Sequence, residues 1–327
     1  MENEKLVTVV IPNYNGINFI KNCLESVFHQ EKAPGFQVLV VDNGSQDGSR
    51  ELVEREFPQV TLVELDTNTG FCHAVNVGIH AATTPYVILL NNDTKVETGF
   101  VGALYDAIEK RPQCFSVSAK MLLWDAPHLM DDGGDRYTAL GWAYGRGKGK
   151  PETDYNQAVK VFSACGGAAI YRREVFDTIG DFDESHFAYL EDLDLGYRAL
   201  LAGYENWYEP TARVVHFGSA VSGSRYNAWK TRLAASNSVY VPMKNMPLLQ
   251  LLWNLPLLLF GYFIKLIFFC GKKLGKEYLK GLAEGLKKSL SPKAKEMRRN
   301  RPIKRLSGYF YIQLELYLNI IRFLKKS

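Results

Sequence analysis

Three carboxylates fall within four residues of this chain, at Glu191, Asp192 and Asp194. A carboxylate among apolar neighbours is costly unless it is paired or used, and such surroundings raise its pKa toward the value that a general base needs. The alternative interpretation is a helix N-terminus, where acidic side chains favour the positive end of the helix dipole. The helix predicted here places four apolar residues on one face, namely Leu193, Tyr197, Leu200 and Leu201.

Four other groups of polar residues follow apolar runs in the N-terminal part. They are residues 12–16, 42–49, 66–71 and 91–94. Turns use the same residue types, so a single loop of this kind would carry little information. Because ligands of parallel sheets bind at the carboxyl ends of the strands, four such loops predict a polar-ligand site at one sheet edge.

These loops require a scaffold of alternating strands and helices. The sequence predicts buried strands at 6–11, 38–41, 60–65 and 86–90, and helices at 16–30, 49–56 and 70–82. This alternation is typical of an α/β fold with a parallel sheet covered on both faces. Residues 130–160, rich in glycine and charge, lack the dinucleotide-binding fingerprint and favour a mobile solvated loop, with anion contacts as the alternative.

Motifs in a fixed order run through residues 9–16, 40–45, 68–78, 89–94, 166–168, 180–184, 191–192 and 214–216. The ordered set resembles the family 2 glycosyltransferases of the GT-A fold, and it is most similar to rhamnosyltransferase-type enzymes of bacterial cell-surface polysaccharide assembly. The resemblance implies a Rossmann-like, mostly parallel sheet with helices on both faces. We expect this catalytic domain at 1–240 and a helical, membrane-associating region at 241–327.

The resemblance implies a nucleotide-sugar site at the polar edge. Its donor-binding residues would be Pro12, Asn13, Tyr14, Asp42, Asn68, Gly70, Asn76, Asn92 and Gly167. Asp42 would accept hydrogen bonds from the base or the ribose. Tyr14 would lie against the base, and its alternative role is to anchor the loop.

Asn91, Asp93 and His216 are the candidate ligands of a divalent cation, Mn²⁺ or Mg²⁺. Residues 91–93 stand where the family carries its metal-binding acidic triplet, and hard cations prefer oxygen ligands together with substrate phosphates. Asn91 replaces the first acid of that triplet, which lowers the expected affinity for the cation. His216 would be the third contact by resemblance, although a lone histidine more often has a structural role.

The resemblance assigns the general base to Asp192, with Glu191 as the alternative base or an acceptor-orienting group. A single displacement would invert the anomeric configuration without a covalent intermediate. The implied donor is dTDP-rhamnose or a UDP-hexose, and the implied acceptor is a hydroxyl of a lipid-linked or growing cell-surface polysaccharide. Asp194 is predicted to be structural, pairing with Arg198 one turn further on.

Two other functions compete with sugar transfer by this site. Asn91 leaves open a catalytically silent subunit that binds nucleotide sugar and acts as a scaffold in polysaccharide assembly. A nucleotidyltransferase would need a phosphate loop rich in glycine and basic residues near its N-terminus, and residues 12–16 are not such a loop.

The charge of the chain is unevenly distributed. The net charge is +4, but residues 244–327 hold 18 lysine and arginine residues against 4 acidic ones. The largely apolar stretch 248–269 precedes most of this charge, which favours an anionic membrane surface at the cytoplasmic face over a true membrane span. Nucleic acid is the least favoured partner because it leaves the apolar residues unexplained, and self-association of the helical region is a further interpretation. Five dispersed cysteines without a CxxC pair argue against disulfides and a zinc site.

Overall fold

The apolar runs of the N-terminal part form the central strands of one large sheet. The computed structural model describes residues 4–218, 226–300 and 306–325. Its strands are β1 (Lys5–Asn13), β2 (Gly35–Asp42), β3 (Thr61–Glu64), β4 (Tyr86–Leu90), β5 (Thr94–Val96), β6 (Cys114–Leu123), β7 (Ala126–Asp132), β8 (Asp135–Tyr137), β9 (Ala143–Gly145), β10 (Val159–Val161), β11 (Ala168–Arg172) and β12 (Glu205–His216).

Helices cover both faces of the sheet and form the C-terminal region. They are α1 (Ile20–Phe28), α2 (Ser49–Glu56), α3 (Phe71–Ala81), α4 (Phe100–Glu109), α5 (Phe176–Ile179), α6 (Glu191–Ala202), α7 (Ala228–Asn245), α8 (Leu248–Gly271), α9 (Gly275–Ser289), α10 (Pro292–Arg299) and α11 (Leu306–Leu324). The predicted strands and helices are therefore confirmed, with ends that differ by a few residues.

The sheet order is β10-β12-β6-β11-β4-β1-β2-β3, with β5 added beside β12 and β7 beside β6. Strands β4, β1, β2 and β3 are mutually parallel, β6 is parallel to β12, and β11 runs antiparallel to both of its neighbours. The α/β fold class is confirmed. The register sets Asn13 opposite Asp42 and His216 opposite Thr94, so the polar loops gather at one edge.

The core lies on both faces of the sheet. On β1, Val7, Val9 and Ile11 enter one apolar cluster together with α1 and α4, whereas Val10 enters the cluster that α3 covers. Because both faces of these strands are buried, their sequences are continuous apolar runs rather than alternating apolar and polar residues. Each fully buried side chain of this kind contributes roughly 1.5–3 kcal/mol to folding.

Residues 130–160 do not form the loop that the sequence predicted. Strand β7 pairs with β6, β8 pairs with β9, and β10 pairs with β12. The buried ammonium of Lys120 donates hydrogen bonds to Glu152 and Asn156, which fixes the connecting turn. Tertiary pairing therefore orders a stretch whose local composition favours flexibility.

The C-terminal helices pack against the catalytic fold. Helix α7 continues across residue 240, and Leu258 of α8 and Ile312 of α11 join the same apolar cluster as Leu193 and Tyr197. The predicted apolar face of α6 is confirmed, because its four residues all enter this cluster. All five cysteines are free, in agreement with the prediction from their spacing.

Candidate functional site

A cavity of about 490 Å³ opens at the carboxyl ends of β1 and β4. Of the predicted donor-binding residues, Pro12, Asn13, Tyr14, Asn68, Gly70 and Asn92 line it. The three candidate metal ligands Asn91, Asp93 and His216 line it as well. We call this space the donor cavity. The structure thus brings together Pro12 and His216, which lie 204 positions apart in the chain.

Asn13 is the centre of a buried hydrogen-bond network in this cavity. Its amide nitrogen donates to Asp42 Oδ1 at 2.9 Å and to Ser49 Oγ at 2.9 Å. Its oxygen accepts a hydrogen bond of 2.8 Å from the Asn92 amide. Gly16 is required beside this network, because a Cβ there would lie 2.2 Å from Asn92 Nδ2. Asn13 therefore orients the first, second and fourth polar loops toward one another.

Three predicted donor-binding residues lie outside the lining of the donor cavity. Asp42 is buried behind Asn13 and also accepts from the Ser45 backbone at 2.9 Å. Asn76 exchanges hydrogen bonds with the backbone of Phe182, which ties α3 to the loop before α6. The Gly167 carbonyl accepts from the Asn91 backbone at 2.9 Å. In this structure, all three position neighbouring parts of the site.

Asn43 organises the third polar loop, a role that sequence reasoning did not assign. Its amide oxygen accepts hydrogen bonds from the backbone and side chain of Thr69, and its nitrogen donates to Asn68 and to the Gly70 carbonyl. Gly70 has φ +89°, and a Cβ there would lie 2.6 Å from the Phe187 ring. The residue is therefore fixed as glycine by both its backbone conformation and its close neighbour.

Asp93 and His216 are in contact in the lining of the donor cavity, with Asp93 Oδ1 3.3 Å from His216 Nε2. His216 Nδ1 lies 2.7 Å from Asp131 Oδ2. Burial alone would lower the pKa of His216, but the two carboxylates outweigh it and raise the pKa to about 9. The site therefore favours positive charge at Nε2.

This donor set fits a divalent cation. A carboxylate that holds Nδ1 orients the other ring nitrogen of a metal-binding histidine, and Asp131 has that position here. Within the described residues, no group of three or more His, Cys, Asp and Glu side chains is arranged to hold a metal ion. The fit is thus to a cation whose remaining ligands come from substrate phosphates and water.

A second cavity, of about 400 Å³, contains the acidic pair. Glu191 and Asp192 line it, and Tyr189 lines both this space and the donor cavity. We call it the acidic cavity. Burial, followed by the charge of Asp192, raises the pKa of Glu191 to about 8, and Glu191 Oε2 has no hydrogen-bond partner among the described residues.

Asp192 is held in a different environment from Glu191. Burial raises its pKa, whereas the backbone N–H groups of Leu193 at 2.7 Å and Gly166 at 3.4 Å stabilise its charged form. Asp135 lies beside it and also lines the acidic cavity. Burial, followed by the charge of Asp192, raises the pKa of Asp135 well above its usual value, and Asp135 in turn favours the charged form of Asp192 by lowering its pKa. Asp135 belongs to the stretch that the sequence assigned to a mobile loop.

The segment between the two cavities has a strained backbone. Phe187, Tyr189 and Leu190 have φ values of 62°, 68° and 66°. Such conformations cost about 1–3 kcal/mol each and persist only when the surroundings enforce them. The buried amide of Asn237 on α7 provides the restraint, because it donates to the carbonyls of His186, Ala188 and Tyr189 at 2.8–3.1 Å. No local sequence signal connects Asn237 to this segment.

Asp194 is structural, as predicted. It pairs with Arg198 at 3.1 Å and with Lys244 of α7 at 2.7 Å. Lys244 also pairs with Asp183 at 2.8 Å, and these ion pairs outweigh burial to hold the pKa of both aspartates below the usual range. Helix α6 is therefore fixed to α7 beneath the acidic cavity.

Comparison with known proteins identifies the family to which the chain belongs. The family model described as glycosyl transferase family 2 matches residues 8–180. An N-acetylglucosaminyl-diphospho-decaprenol L-rhamnosyltransferase of Mycobacterium tuberculosis is 27% identical over 248 residues, which cover 67% of this chain and 78% of the relative. A poly-beta-1,6-N-acetyl-D-glucosamine synthase of Staphylococcus epidermidis is 22% identical over 208 residues, covering 63% of this chain and 48% of the relative.

Solved structures show the same fold. A mannosyltransferase from Pyrobaculum calidifontis, solved in complex with GDP-Man and Mn²⁺, has a TM-score of 0.51 and 19% identity, covering 95% of this chain and 86% of that one. The structure of GalNAc-T7 with UDP, GalNAc and Mn²⁺ has a TM-score of 0.58 and 17% identity, covering 74% and 48%. The family model spans more than half of the chain, and its extent includes the donor cavity loops. The protein is a glycosyltransferase, and it belongs to glycosyl transferase family 2.

Proposed function

We propose that this enzyme transfers a sugar, with inversion, from a nucleoside-diphosphate sugar to a hydroxyl of a lipid-linked acceptor in cell-surface polysaccharide synthesis. The observation that supports this most directly is the junction of the two cavities at Tyr189. One cavity holds the candidate cation ligands, and the other holds a buried carboxylate supported by backbone donors. The named activity of the mycobacterial relative, on a diphospho-decaprenol acceptor, agrees with this acceptor class.

In the proposed reaction, Asp192 accepts the proton of the acceptor hydroxyl. The hydroxyl oxygen then forms a bond to the anomeric carbon while the bond from that carbon to the diphosphate breaks, and the nucleoside diphosphate leaves with the electron pair. The backbone N–H groups of Leu193 and Gly166 keep Asp192 charged before the transfer. General-base catalysis of this kind contributes about 10²- to 10⁴-fold to the rate.

Asp93 and His216 are the residues that would hold the divalent cation, with Asn91 beside them in the lining. When bound, the cation would neutralise charge on the diphosphate leaving group. Asp131 would keep His216 in the orientation that presents Nε2 toward Asp93. The choice between Mn²⁺ and Mg²⁺, and between dTDP-rhamnose and a UDP-hexose, belongs to the same proposal.

The C-terminal helices support attachment to a membrane surface. Helix α8 is the one described helix long and apolar enough to cross a membrane, and its apolar side chains face outward, with Leu249 76% and Trp253 71% exposed. Its polar residues face the protein, where Gln250 accepts from Tyr197 at 2.7 Å. Because catalytic-fold residues cover one side of α8 near its middle, at Gly261, we infer that the helix lies along the cytoplasmic membrane surface.

Part of the basic charge of this region holds the fold together. Lys288 donates to the Ser185 carbonyl at 2.8 Å, Lys293 pairs with Asp183 at 3.2 Å, and Arg298 donates to the Met243 carbonyl at 2.9 Å. Only the basic side chains that face outward are available to bind anionic lipid headgroups. Nucleic acid is not part of the proposal, and the sequence-based possibility of self-association stays a prediction.

The proposed function is tested with the full chain purified in detergent. We expect one nucleotide sugar of a panel to raise the melting temperature, and the same sugar to be transferred to a lipid-linked acceptor in the presence of Mn²⁺ or Mg²⁺. The Asp93→Asn variant should need more than about 10-fold more metal, because even the loss of a partner outside the ligand shell costs that much, whereas Asp177→Asn, at an exposed site on α5, should behave like the wild type.

A catalytically silent scaffold is the competing function. The presence of Asn91 and the lack of a three-residue metal cluster among the described residues favour it. In that case the chain would bind a nucleotide sugar without any turnover, and metal would not change donor binding. Transfer by the wild type would exclude the scaffold.

A further inference from the structure

The acidic cavity contains polar groups that the proposed transfer does not use. Lys265 of α8, Thr231 of α7 and Tyr278 of α9 line it together with Glu191 and Asp192. The hydroxyls of Thr231 and Tyr278 are buried, and neither has a hydrogen-bond partner among the described residues. Two unpartnered hydroxyls and an ammonium at one cavity are unusual, because buried polar groups are normally hydrogen-bonded.

Lys265 faces the protein rather than the solvent around α8. It continues the helical spacing of Gln250, Asn254, Leu258 and Gly261, which form the buried face of that helix. Gln250 and Asn254 bond to Gln313 of α11 at 3.1 Å and 2.9 Å. Within the described residues, by contrast, the Lys265 ammonium makes no hydrogen bond or ion pair, and it lies 6.0 Å from the centroid of the Trp142 ring. An inward-facing ammonium that pairs with none of the described carboxylates favours an anionic ligand.

The ligand must also suit the surface outside the cavity. The face of α8 opposite Lys265 is apolar and exposed, with Leu252, Leu259 and Phe263 more than half exposed. A ligand that joins an anionic group to a long apolar chain satisfies both environments, since its chain can remain in the membrane that covers this face. The donor diphosphate is not required for this role, because the donor cavity has Lys230 and the Asp93–His216 pair in its own lining.

We propose that Lys265, Thr231 and Tyr278 bind the phosphate of the lipid-linked acceptor, so that the sugar hydroxyl of the acceptor reaches Asp192. This inference rests on the proposed function and extends it to the recognition of the acceptor. The lysine supplies the charge and the two hydroxyls supply oriented donors. A phosphate fixed there would select lipid-linked acceptors over free sugars.

Binding without transfer gives the first test. The full chain in detergent is titrated with farnesyl diphosphate, farnesol or inorganic pyrophosphate, with no nucleotide sugar present, and the melting temperature is followed. We expect farnesyl diphosphate to stabilise the wild type more than either fragment does. Lys265→Met should weaken its binding roughly 10- to 100-fold, which is the range for one charged hydrogen bond. Lys265→Arg should retain most of the binding, and Lys276→Met, at an exposed site on α9, should match the wild type.

A kinetic test separates this site from the catalytic machinery. Lys265→Met should raise the KM for a prenyl-diphosphate-linked acceptor and leave the KM for the nucleotide sugar and the rate with an octyl glycoside acceptor unchanged. Equal binding of farnesyl diphosphate by Lys265→Met and the wild type would overturn the proposal. Stabilisation by pyrophosphate as strong as that by farnesyl diphosphate would also overturn it, because the site would then recognise a free anion. Farnesyl diphosphate binding without any sugar transfer would instead contradict the proposed function.

Discussion

The donor cavity and the acidic cavity differ in how their polar groups are paired. At the donor cavity, Asn13 bonds both to Asn92 and to Asp42 behind the lining, and Asn43 fixes the adjacent loop. In the acidic cavity, polar atoms of Glu191, Thr231 and Tyr278 lack partners among the described residues. An unpaired buried polar group costs about 1–3 kcal/mol, and a ligand that pairs with it recovers this free energy.

This difference indicates two ways of building a binding site. The donor cavity lies where neighbouring parallel strands end, so the sheet register itself holds the loops in place before any ligand arrives. The acidic cavity lies between α6 and three C-terminal helices, and several of its polar groups have no hydrogen-bond partner among the residues that the structure describes. We therefore expect mutations in the first cavity to change donor affinity and mutations in the second to change transfer.

The largest effect should follow from Asp192→Asn. This change removes the proposed base with little change of volume, so transfer should fall about 10²- to 10⁴-fold. The donor-induced rise in melting temperature should remain, because Asp192 does not line the donor cavity. Single-turnover transfer assays and thermal melts measure the two quantities, and Asp177→Asn is the matched control. Wild-type rates in Asp192→Asn would place the base elsewhere.

The pH profile of the wild type tests the same carboxylate. Burial raises the pKa of Asp192, so the deprotonated base is lost at a higher pH than for an ordinary aspartate, whose pKa is about 3.9. Transfer should therefore decline as the pH falls, with its midpoint above that value. A profile that stays flat down to pH 4 would contradict this assignment.

The next largest effect concerns the ion pairs that join α6 and the loop before it to α7. Lys244→Met leaves Asp183 and Asp194 without their shared cation, and breaking such a buried pair costs about 3–5 kcal/mol in the free energy of unfolding. Chemical denaturation measures this loss, and Lys276→Met, at an exposed site, should change stability by less than about 0.5 kcal/mol.

The same ion pairs determine how stability depends on acid. Both aspartates have a lower pKa in the folded chain than in the unfolded one, so their contribution is complete above about pH 4 and is lost as the pH falls further. The wild type should therefore lose more stability between neutral pH and pH 3 than Lys244→Met does. If both proteins lost the same stability as the pH falls, these ion pairs would contribute little to the pH dependence of stability.

A smaller effect should follow from Asn13→Ala in the donor cavity. The change removes one hydrogen-bond partner from Asp42 and one from Asn92. Because the loss of such a partner costs about 1–3 kcal/mol, we expect the donor Kd to rise roughly 5- to 150-fold. Calorimetric titration with the nucleotide sugar measures the change, and Asn18→Ala, at an exposed site beside the same loop, is the control. If the affinity for the acceptor fell equally, the two cavities would not have separate roles in donor binding and transfer.

The smallest effect is expected for Glu191→Gln. With a pKa of about 8, Glu191 is mostly protonated at pH 7, and glutamine has nearly the same shape as the neutral acid. Transfer at pH 7 should therefore stay within about 3-fold of the wild type, or 0.6 kcal/mol. A loss as large as that of Asp192→Asn would make Glu191 the base instead.

Much of the donor cavity could be predicted from the sequence. Polar residues that follow buried strands must gather at one edge of a parallel sheet, and nine of the predicted residues line the cavity there. Asp42, Asn76 and Gly167 were predicted to bind the donor, but they lie outside the lining of the cavity, and their hydrogen bonds to neighbouring parts of the site could not be derived from their positions in the sequence.

The acidic cavity could be predicted only in part. Glu191 and Asp192 stood out because acids among apolar residues are rare, and Asp194 was correctly separated from them. Asp135 lies in a stretch whose composition favours a loop, and Asn237 and Lys265 belong to none of the sequence motifs. Asp135 and Lys265 reach the acidic cavity, and Asn237 reaches the segment at 187–190, only because distant parts of the chain pack together, and local patterns do not encode such packing.

By itself, the sequence determined the α/β fold, the family and the polar sheet edge, because strand periodicity and ordered motifs are local properties. Only the tertiary structure decided that the acidic pair opens into a separate cavity, that Asn237 restrains the strained segment at 187–190, and that α8 turns its lysine inward and its leucines outward. The physical reason is that burial and pairing depend on which elements meet, and the C-terminal helices meet the acidic segment only through packing of the whole chain.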